Sequence, residues 1–311
     1  MFMIKRTALV IFTLVLGQGL GFAQDLAFEK EEDGIHLMED GKPRFFYQTE
    51  TKSKDGQYPR ANYIHPLYGL NGEVLTEDFP ADHLHHHGLF WAWHQLYAEG
   101  ERVGDPWISE GVSWEVKKTS TDVHNNKAII EAEVLWIQDT KQRPVLREDL
   151  IITYENLDDE AFAVTFDIKL TALVEGVRVG GSEDEKGYGG FSPRFILPED
   201  ISFHSTQGKV EPNNLPVQAG PWMNMQGSFG SSANGPSGIV IMGEPDQLPS
   251  YQGWILRNAK SMQNMAFPGR DPLSIERGKS LSFRNQILVH KGLSQKEIQK
   301  YYNRFQAQKE Q

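Results

Sequence analysis

The stretch 79–94, FPADHLHHHGLFWAWH, holds five of the ten histidines of the chain. Imidazole titrates near neutral pH, bonds through two distinct nitrogens and ligates metals, so this density points to proton transfer, specific binding or metal chemistry. On an extended backbone, His83, His85 and His87 fall on one face at steps of about 6.6 Å, and His86 falls on the other. Neighbouring members can then share one ligand. His94 lies roughly 26 Å beyond His86 along an unbroken strand, so those two meet on a small ligand only where Gly88 turns the chain. Asp82 is placed to fix an imidazole tautomer.

Three readings of these residues stand side by side. In the first, His85 and His86 work as general acid and base, or as hydrogen-bond donors, on a bound sugar, with Trp91 or Trp93 as its stacking floor. In the second, His83, His85 and His87 hold a divalent metal together with a carboxylate such as Glu110, since neutral imidazole suits Zn, Fe, Cu and Ni. In the third, the cluster is structural, tied up by Asp82 and backbone carbonyls. Outside it, Arg194 follows a glycine-rich loop at 179–190 and suits either a clamp on a carboxylate or sugar hydroxyl or a salt bridge. Trp222 sits among Pro, Asn, Gly and Ser, as a plug for the fold or as a binding surface.

The elements that must position these residues read as strands. Asp33-Gly34, Asp40-Gly41 and Asn71-Gly72 are hairpin signals between apolar runs. From Gly111 onward, four runs alternate with period two and end in Asn, Asp or Gly. Val164, Phe166, Ile168 and Leu170 are expected to face the core. A final strand carries Leu281, Phe283, Asn285, Ile287 and Val289. Only 294–311 reads as helical, with Ser294 as cap, Glu297 three residues on, and Ile298, Tyr301, Tyr302 and Phe305 at helical spacing. The expected fold is all-β, a large antiparallel β-sandwich with a short C-terminal helix.

Composition narrows the function. Residues 1–23 have the charged start, apolar run and small-residue end of a cleaved signal peptide. The mature chain is expected as one domain over 24–311, periplasmic or secreted and without membrane insertion. The chain has no cysteine, which excludes disulfides and thiolate sites. A net charge of -11 with no basic stripe argues against nucleic acid. Aromatic residues at 11% suit a small carbohydrate partner.

Tyr63-Ile64-His65-Pro66-Leu67, Asp78-Phe79-Pro80, Asp82-His83-Leu84-His85-His86-His87-Gly88, the element 107–110, the segment 185–194 and the closing FPGRDPLSIERGKSLSFRNQILVHKG resemble the bacterial family labelled PmoA, or DUF6807. In its histidine motif, approximately D-H-P-H-H-R-G, Leu84 here replaces the Pro and His87 the Arg. The label borrows the name of a membrane-embedded methane oxygenase, an activity that this chain, with no spanning segment, is not expected to have. A more distant resemblance is to galactose mutarotases, through His87-Gly88, His204 and the late FPGRDPLSIERGKSLSF. It implies a super-sandwich fold and a role for His204, but the Glu those enzymes place before the late Pro is missing from SMQNMAF. Glu110 is taken as the replacement carboxylate. The expectation is therefore an exported carbohydrate-active enzyme of isomerase, lyase or hydrolase type. Its catalytic residues would be His85, His86, Glu110 and His204, and its binding residues His83, His87, Trp91, Trp93, Arg194 and Trp222. No cofactor is required by this reading. A non-catalytic sugar-binding protein and a histidine-ligated metalloenzyme are the alternatives. The oligomeric state is not legible.

Overall fold

The computed structural model describes residues 25–230 and 237–308, so the expected signal segment lies outside the described residues. Strands dominate, and all their pairings are antiparallel. The largest sheet has nine strands. It begins as a meander of Val112–His124, Lys127–Gln138, Arg143–Asp158 and Ala161–Ala172. Here short turns join sequence neighbours, the cheapest connection for antiparallel pairs. Next to Ala161–Ala172 lies the distant strand Ser280–His290, in a register that pairs Val164 with Ile287 and Phe166 with Asn285. The sheet continues through Ser237–Gly243 and Trp222–Gly227 to Ser202–Ser205 and Gly208–Val210.

Alternation decides which face is the core. Val164, Phe166, Ile168 and Leu170 are at most 2% exposed, and they pack against a second layer. That layer includes the N-terminal sheet of Leu26–Lys30, Gly34–Glu39, Lys42–Gln48 and Tyr63–Leu67, and the sheet of Leu273–Ile275, Val177–Gly180, Gln95–Ala98 and Glu101–Gly104. Asp40 and Gly41 form the expected two-residue turn, both with positive φ, between Glu39 and its partner Lys42. The same alternation points Leu146, Glu148, Leu150 and Ile152 inward, so one carboxylate enters the core. Glu148 is fully buried and accepts hydrogen bonds from Asn62, Trp91 and Trp136 at 2.8–3.1 Å. Arg60, also buried, lies over the Trp114 ring and donates to the carbonyls of Trp91 and Pro106.

The only α-helix among the described residues is Gln295–Ala307, capped by Ser294 with Glu297 completing a capping box. Ile298, Tyr302 and Phe305 turn inward and cover the outer face of the large sheet at Ala161, Ala163, Trp222, Val240 and Leu288. Among the described residues no helix is long and apolar enough to cross a membrane.

The strand Tyr63–Leu67 carries the histidine stretch on its flank. Ile64 and Leu89 exchange backbone hydrogen bonds at 2.9 and 3.1 Å. This contact requires glycine at position 88, because a Cβ there would sit 1.9 Å from the Ile64 carbonyl oxygen. Gly88→Ala is therefore expected to push the histidine stretch off its strand and to lower stability by roughly 1–3 kcal/mol. Urea unfolding of the variant checks this, and a shift below about 0.5 kcal/mol would count against it.

Candidate functional site

The histidine stretch is not extended. Its backbone closes two successive turns, with His83 N–H on the Pro80 carbonyl and His86 N–H on that of His83, before Phe79 and His86 pair. Phe79 takes a positive φ of 49°. The turns reverse the expected facing. His83 and His86 stack face to face, with ring centroids 4.8 Å apart and planes 2° from parallel. His85 stands edge-on to both, at 5.7 and 4.7 Å. His87 is the one sent to the other side, where it is fully buried among Tyr63, Phe79 and Phe90. The set His83, His85 and His87 therefore does not converge. Among the described residues, no three His, Asp or Glu side chains are grouped to hold a metal ion.

Turning the chain also brings His94 back. The His86 ring meets the edge of Trp107 at 5.9 Å, and His94 stacks on Trp107 at 5.2 Å. Tyr188, from the glycine-rich loop, packs edge-on to both Trp107 and His94, and Tyr58 leans on His85. The result is a row of rings running His83, His86, Trp107, His94. A carboxylate backs the imidazole at each end. His83 Nδ1 donates to Asp82 Oδ2 at 2.7 Å, and His94 Nδ1 donates to Asp105 Oδ2 at 2.8 Å. Each carboxylate accepts from Nδ1–H, so in the neutral ring the acceptor nitrogen is Nε2. The Nε2 of His94 is buried without a partner, while the His83 side chain is 42% exposed.

Arg194 locks the first pair in place. It is 1% exposed, its Nε donates to Glu77 at 2.6 Å, and its Nη2 forks onto both Asp82 oxygens at 2.9 and 3.1 Å. Its Nη1 faces His86 Nδ1 at 3.4 Å. A guanidinium only donates, so His86 Nδ1 accepts and the neutral ring keeps its proton on Nε2. Arg194 is thus a salt-bridge residue that orders the site.

Electrostatics keep the middle of the row neutral. Burial, then the charges of His85, His83 and Arg194, lowers His86 to about 2. Burial, then His83 and His94, lowers His85 to about 4. Burial alone would raise Asp82, but the His83 hydrogen bond and the Arg194 charge outweigh it and hold that carboxyl below its ordinary value. The site therefore holds a carboxylate-backed imidazole at each end, neutral imidazoles at His85 and His86, and aromatic rings packed around them.

Burial also lowers His65 and His290 to about 4. Histidines held neutral in the fold and free to protonate when unfolded make stability fall as pH drops below about 6.5, by up to ~1.4 kcal/mol per pH unit for each. The melting temperature is expected to be flat near pH 7–8 and to decline steadily toward pH 4. A calorimetric series with no decline would contradict these neutral assignments.

Several residues singled out in the sequence lie elsewhere. Trp91 and Trp93 are fully buried in the core, bonded to Glu148 and to the Phe267 carbonyl, so neither is a stacking floor. Trp107 is buried in the same way, 1% exposed and packed between His94 and His86, so the aromatic rings that a ligand can reach are the partly exposed Tyr58 and Tyr188. Trp222 is 1% exposed, lies under the C-terminal helix and bonds to Gln299, as a plug and not a binding surface. His204 stands near the edge of the large sheet, bonded to Ser202, and touches none of the rings. Glu110 is exposed. Its backbone closes the 105–110 turn, and its carboxylate has no hydrogen bond among the described residues. Asp105, five positions earlier, is the acid that reaches a histidine. An aspartate two residues before a tryptophan was the available signal. A groove of about 360 Å³ on the outward face of the large sheet, lined by Asp149, Ile151, Lys169 and Phe283 among others, includes no residue of the histidine site.

Fold and site together define an antiparallel β protein whose histidine turn is pinned by an arginine held between two carboxylates. Residues 34–303 match the family of unknown function DUF6807, and the chain belongs to that family, as the sequence resemblance implied. No curated protein matches it. Among solved structures, a heparan sulfate lyase HepC mutant from Pedobacter heparinus is similar at 8% identity and a TM-score of 0.39, over 87% of this chain and 36% of that one. A GalM/aldose epimerase homologue from C. elegans is similar at 8% identity and a TM-score of 0.32, over 87% of this chain and all of that one.

Proposed function

We propose that the protein is a carbohydrate-active enzyme in which the Asp82–His83 pair transfers a proton to or from a bound sugar. The observation that carries this reading is the row of rings with a carboxylate-backed imidazole at each end and the neutral His86 between, His85 standing beside it. His83, with 42% of its side chain exposed, is the base in this reading, the His86 Nε2–H donates to a sugar oxygen, and His94 with Asp105 supplies a second proton carrier. Tyr58 and Tyr188, both partly exposed, offer the aromatic surface that a pyranose ring packs on, with Trp107 buried beneath as support. Two carriers along one row fit isomerisation or elimination, in which one group removes a proton and another returns one.

The test incubates the protein with a sugar panel, including oxidised and unsaturated sugars, in D₂O and follows C–H exchange and products by NMR. Glu110→Gln is expected to behave as wild type, within about two-fold. A tightly bound sugar returned unchanged and unexchanged, with His83→Ala altering affinity alone, would leave a binding protein and not an enzyme. Metal content of untagged protein, with thermal shifts on adding Zn, Fe or Cu, tests the metalloenzyme alternative. Export is part of this proposal and rests on the composition of residues 1–23. N-terminal sequencing of the mature protein, expected to begin at Gln24, tests it.

A further inference from the structure

The strands Gly253–Ile255 and Asn264–Ala266 pair, and the loop between them returns to the site. Ile255 and Met262, at its two ends, pack in one cluster with Trp107, and Tyr188 lies against the same cluster. The loop is latched by the Gln263 side chain on the Arg257 backbone. Arg257 N–H donates to Gln263 Oε1, and Gln263 Nε2 donates to the Arg257 carbonyl, both at 3.0 Å. Arg257 is thereby fixed beside the cluster that Trp107 and Tyr188 share, near enough to the Tyr188 phenol for the two to interact electrostatically.

The guanidinium is held without being neutralised. Nη1 donates to the carbonyls of Asn213 and Leu256 at 2.8 Å, and Nη2 donates to the Asn214 carbonyl at 3.2 Å. No Asp or Glu among the described residues bonds to it. Arg194, at the other end of the row, is in contrast clasped by two carboxylates. Of the five N–H groups of a guanidinium, the three engaged ones leave Nε–H and one Nη2–H. Nε and Nη2 lie on the edge of the guanidinium that forms the side-on fork for an oxyanion. Arg257 is half-buried, burial lowers it from its ordinary value, and the Tyr188 phenol is the one group that opposes this. A partly desolvated cation with an open fork and no counter-charge favours an anion that arrives with the ligand.

We propose that Arg257 is the subsite for an oxyanion substituent of the sugar, a carboxylate or a sulfate, so that the ligand of this site is an acidic sugar. The inference rests on the carbohydrate reading above. Its test compares matched probes by NMR titration: glucuronate and galacturonate against glucuronamide, and glucose 6-sulfate against glucose. The acidic member is expected to bind wild-type protein at least about tenfold tighter, as a charge-assisted fork does over a neutral contact. Arg257→Gln is expected to bring the ratio within about two-fold, and Arg257→Lys, which keeps the charge and loses the fork, to leave it between. The two arms tell carboxylate from sulfate by which pair shows the preference. The wild-type ratio needs no variant, so it decides even where a substitution disturbs the loop. Acidic and neutral probes bound equally would overturn the oxyanion subsite and leave the carbohydrate reading standing. Binding of none of the probes would overturn both.

Discussion

His83→Ala is expected to slow proton exchange on a bound sugar by roughly 10²- to 10⁴-fold, the usual contribution of a placed general base. Stability should change little. The side chain is 42% exposed, and Asp82 stays paired with Arg194 when its His83 hydrogen bond is lost, so the cost should stay at about 1 kcal/mol. The effect should fall on kcat more than on KM, because the base acts in the transition state and contributes little to ground-state binding. Asp82→Asn is the more discriminating companion. An amide has nearly the shape of a carboxylate, yet it weakens both the His83 hydrogen bond and the Arg194 fork, and so releases the tautomer that leaves Nε2 free. A comparable loss with a shifted pH profile is expected. His83→Ala turning over within about three-fold of wild type would remove His83 as the base and shift attention to His94.

Arg60→Met is the second large expectation, and it acts on stability. The guanidinium is 1% exposed, sandwiched by Trp114 at 4.1 Å and Phe90 at 5.3 Å, and it balances the charge of fully buried Glu148. Burial lowers Arg60 to about 9 and the Glu148 charge resists that fall; burial raises Glu148 while its three hydrogen-bond donors and Arg60 oppose it. Methionine fills the volume but leaves the carboxylate without a counter-charge and two carbonyls without donors. Arg60 and Glu148 act on each other through space without a direct hydrogen bond, and losing that counter-charge together with two buried donors costs about 3–5 kcal/mol, or a fall of roughly 10 °C in melting temperature. Adding Glu148→Gln to Arg60→Met should recover part of the loss, because the orphaned charge is then gone. Equal or additive damage in the double variant would mean that the two residues are uncoupled. Since Arg60 holds the carbonyls of Trp91 and Pro106, the single variant should also loosen the segments that present His94 and Trp107.

What the sequence disclosed follows from the range of the forces involved. The meander, the Asp40-Gly41 turn and the capped C-terminal helix obey rules that act within a few residues, and the structure has them at the expected places. The inward row Val164, Phe166, Ile168 and Leu170 follows from strand period alone. The site did not yield in the same way. Period-two reasoning assumes an extended backbone, whereas two turns at 80–86 put His86 with His83 and sent His87 away. Burial of Trp91, Trp93 and Trp222 depends on which sheet faces and helix cover them, which local pattern does not encode. Glu148 could have been noticed as a charge in an inward register position. Arg194, by contrast, reads identically as a clamp or as a salt bridge until its partners are placed.

Those partners are far away along the chain. Arg194 meets Glu77 across 117 residues and Asp82 across 112. Closing such long loops is entropically slow and happens after local hairpins have formed. A chain emerging from the ribosome therefore displays its histidines long before it owns a site, and competence arrives only when the segment carrying Tyr188 and Arg194 has been made and has docked.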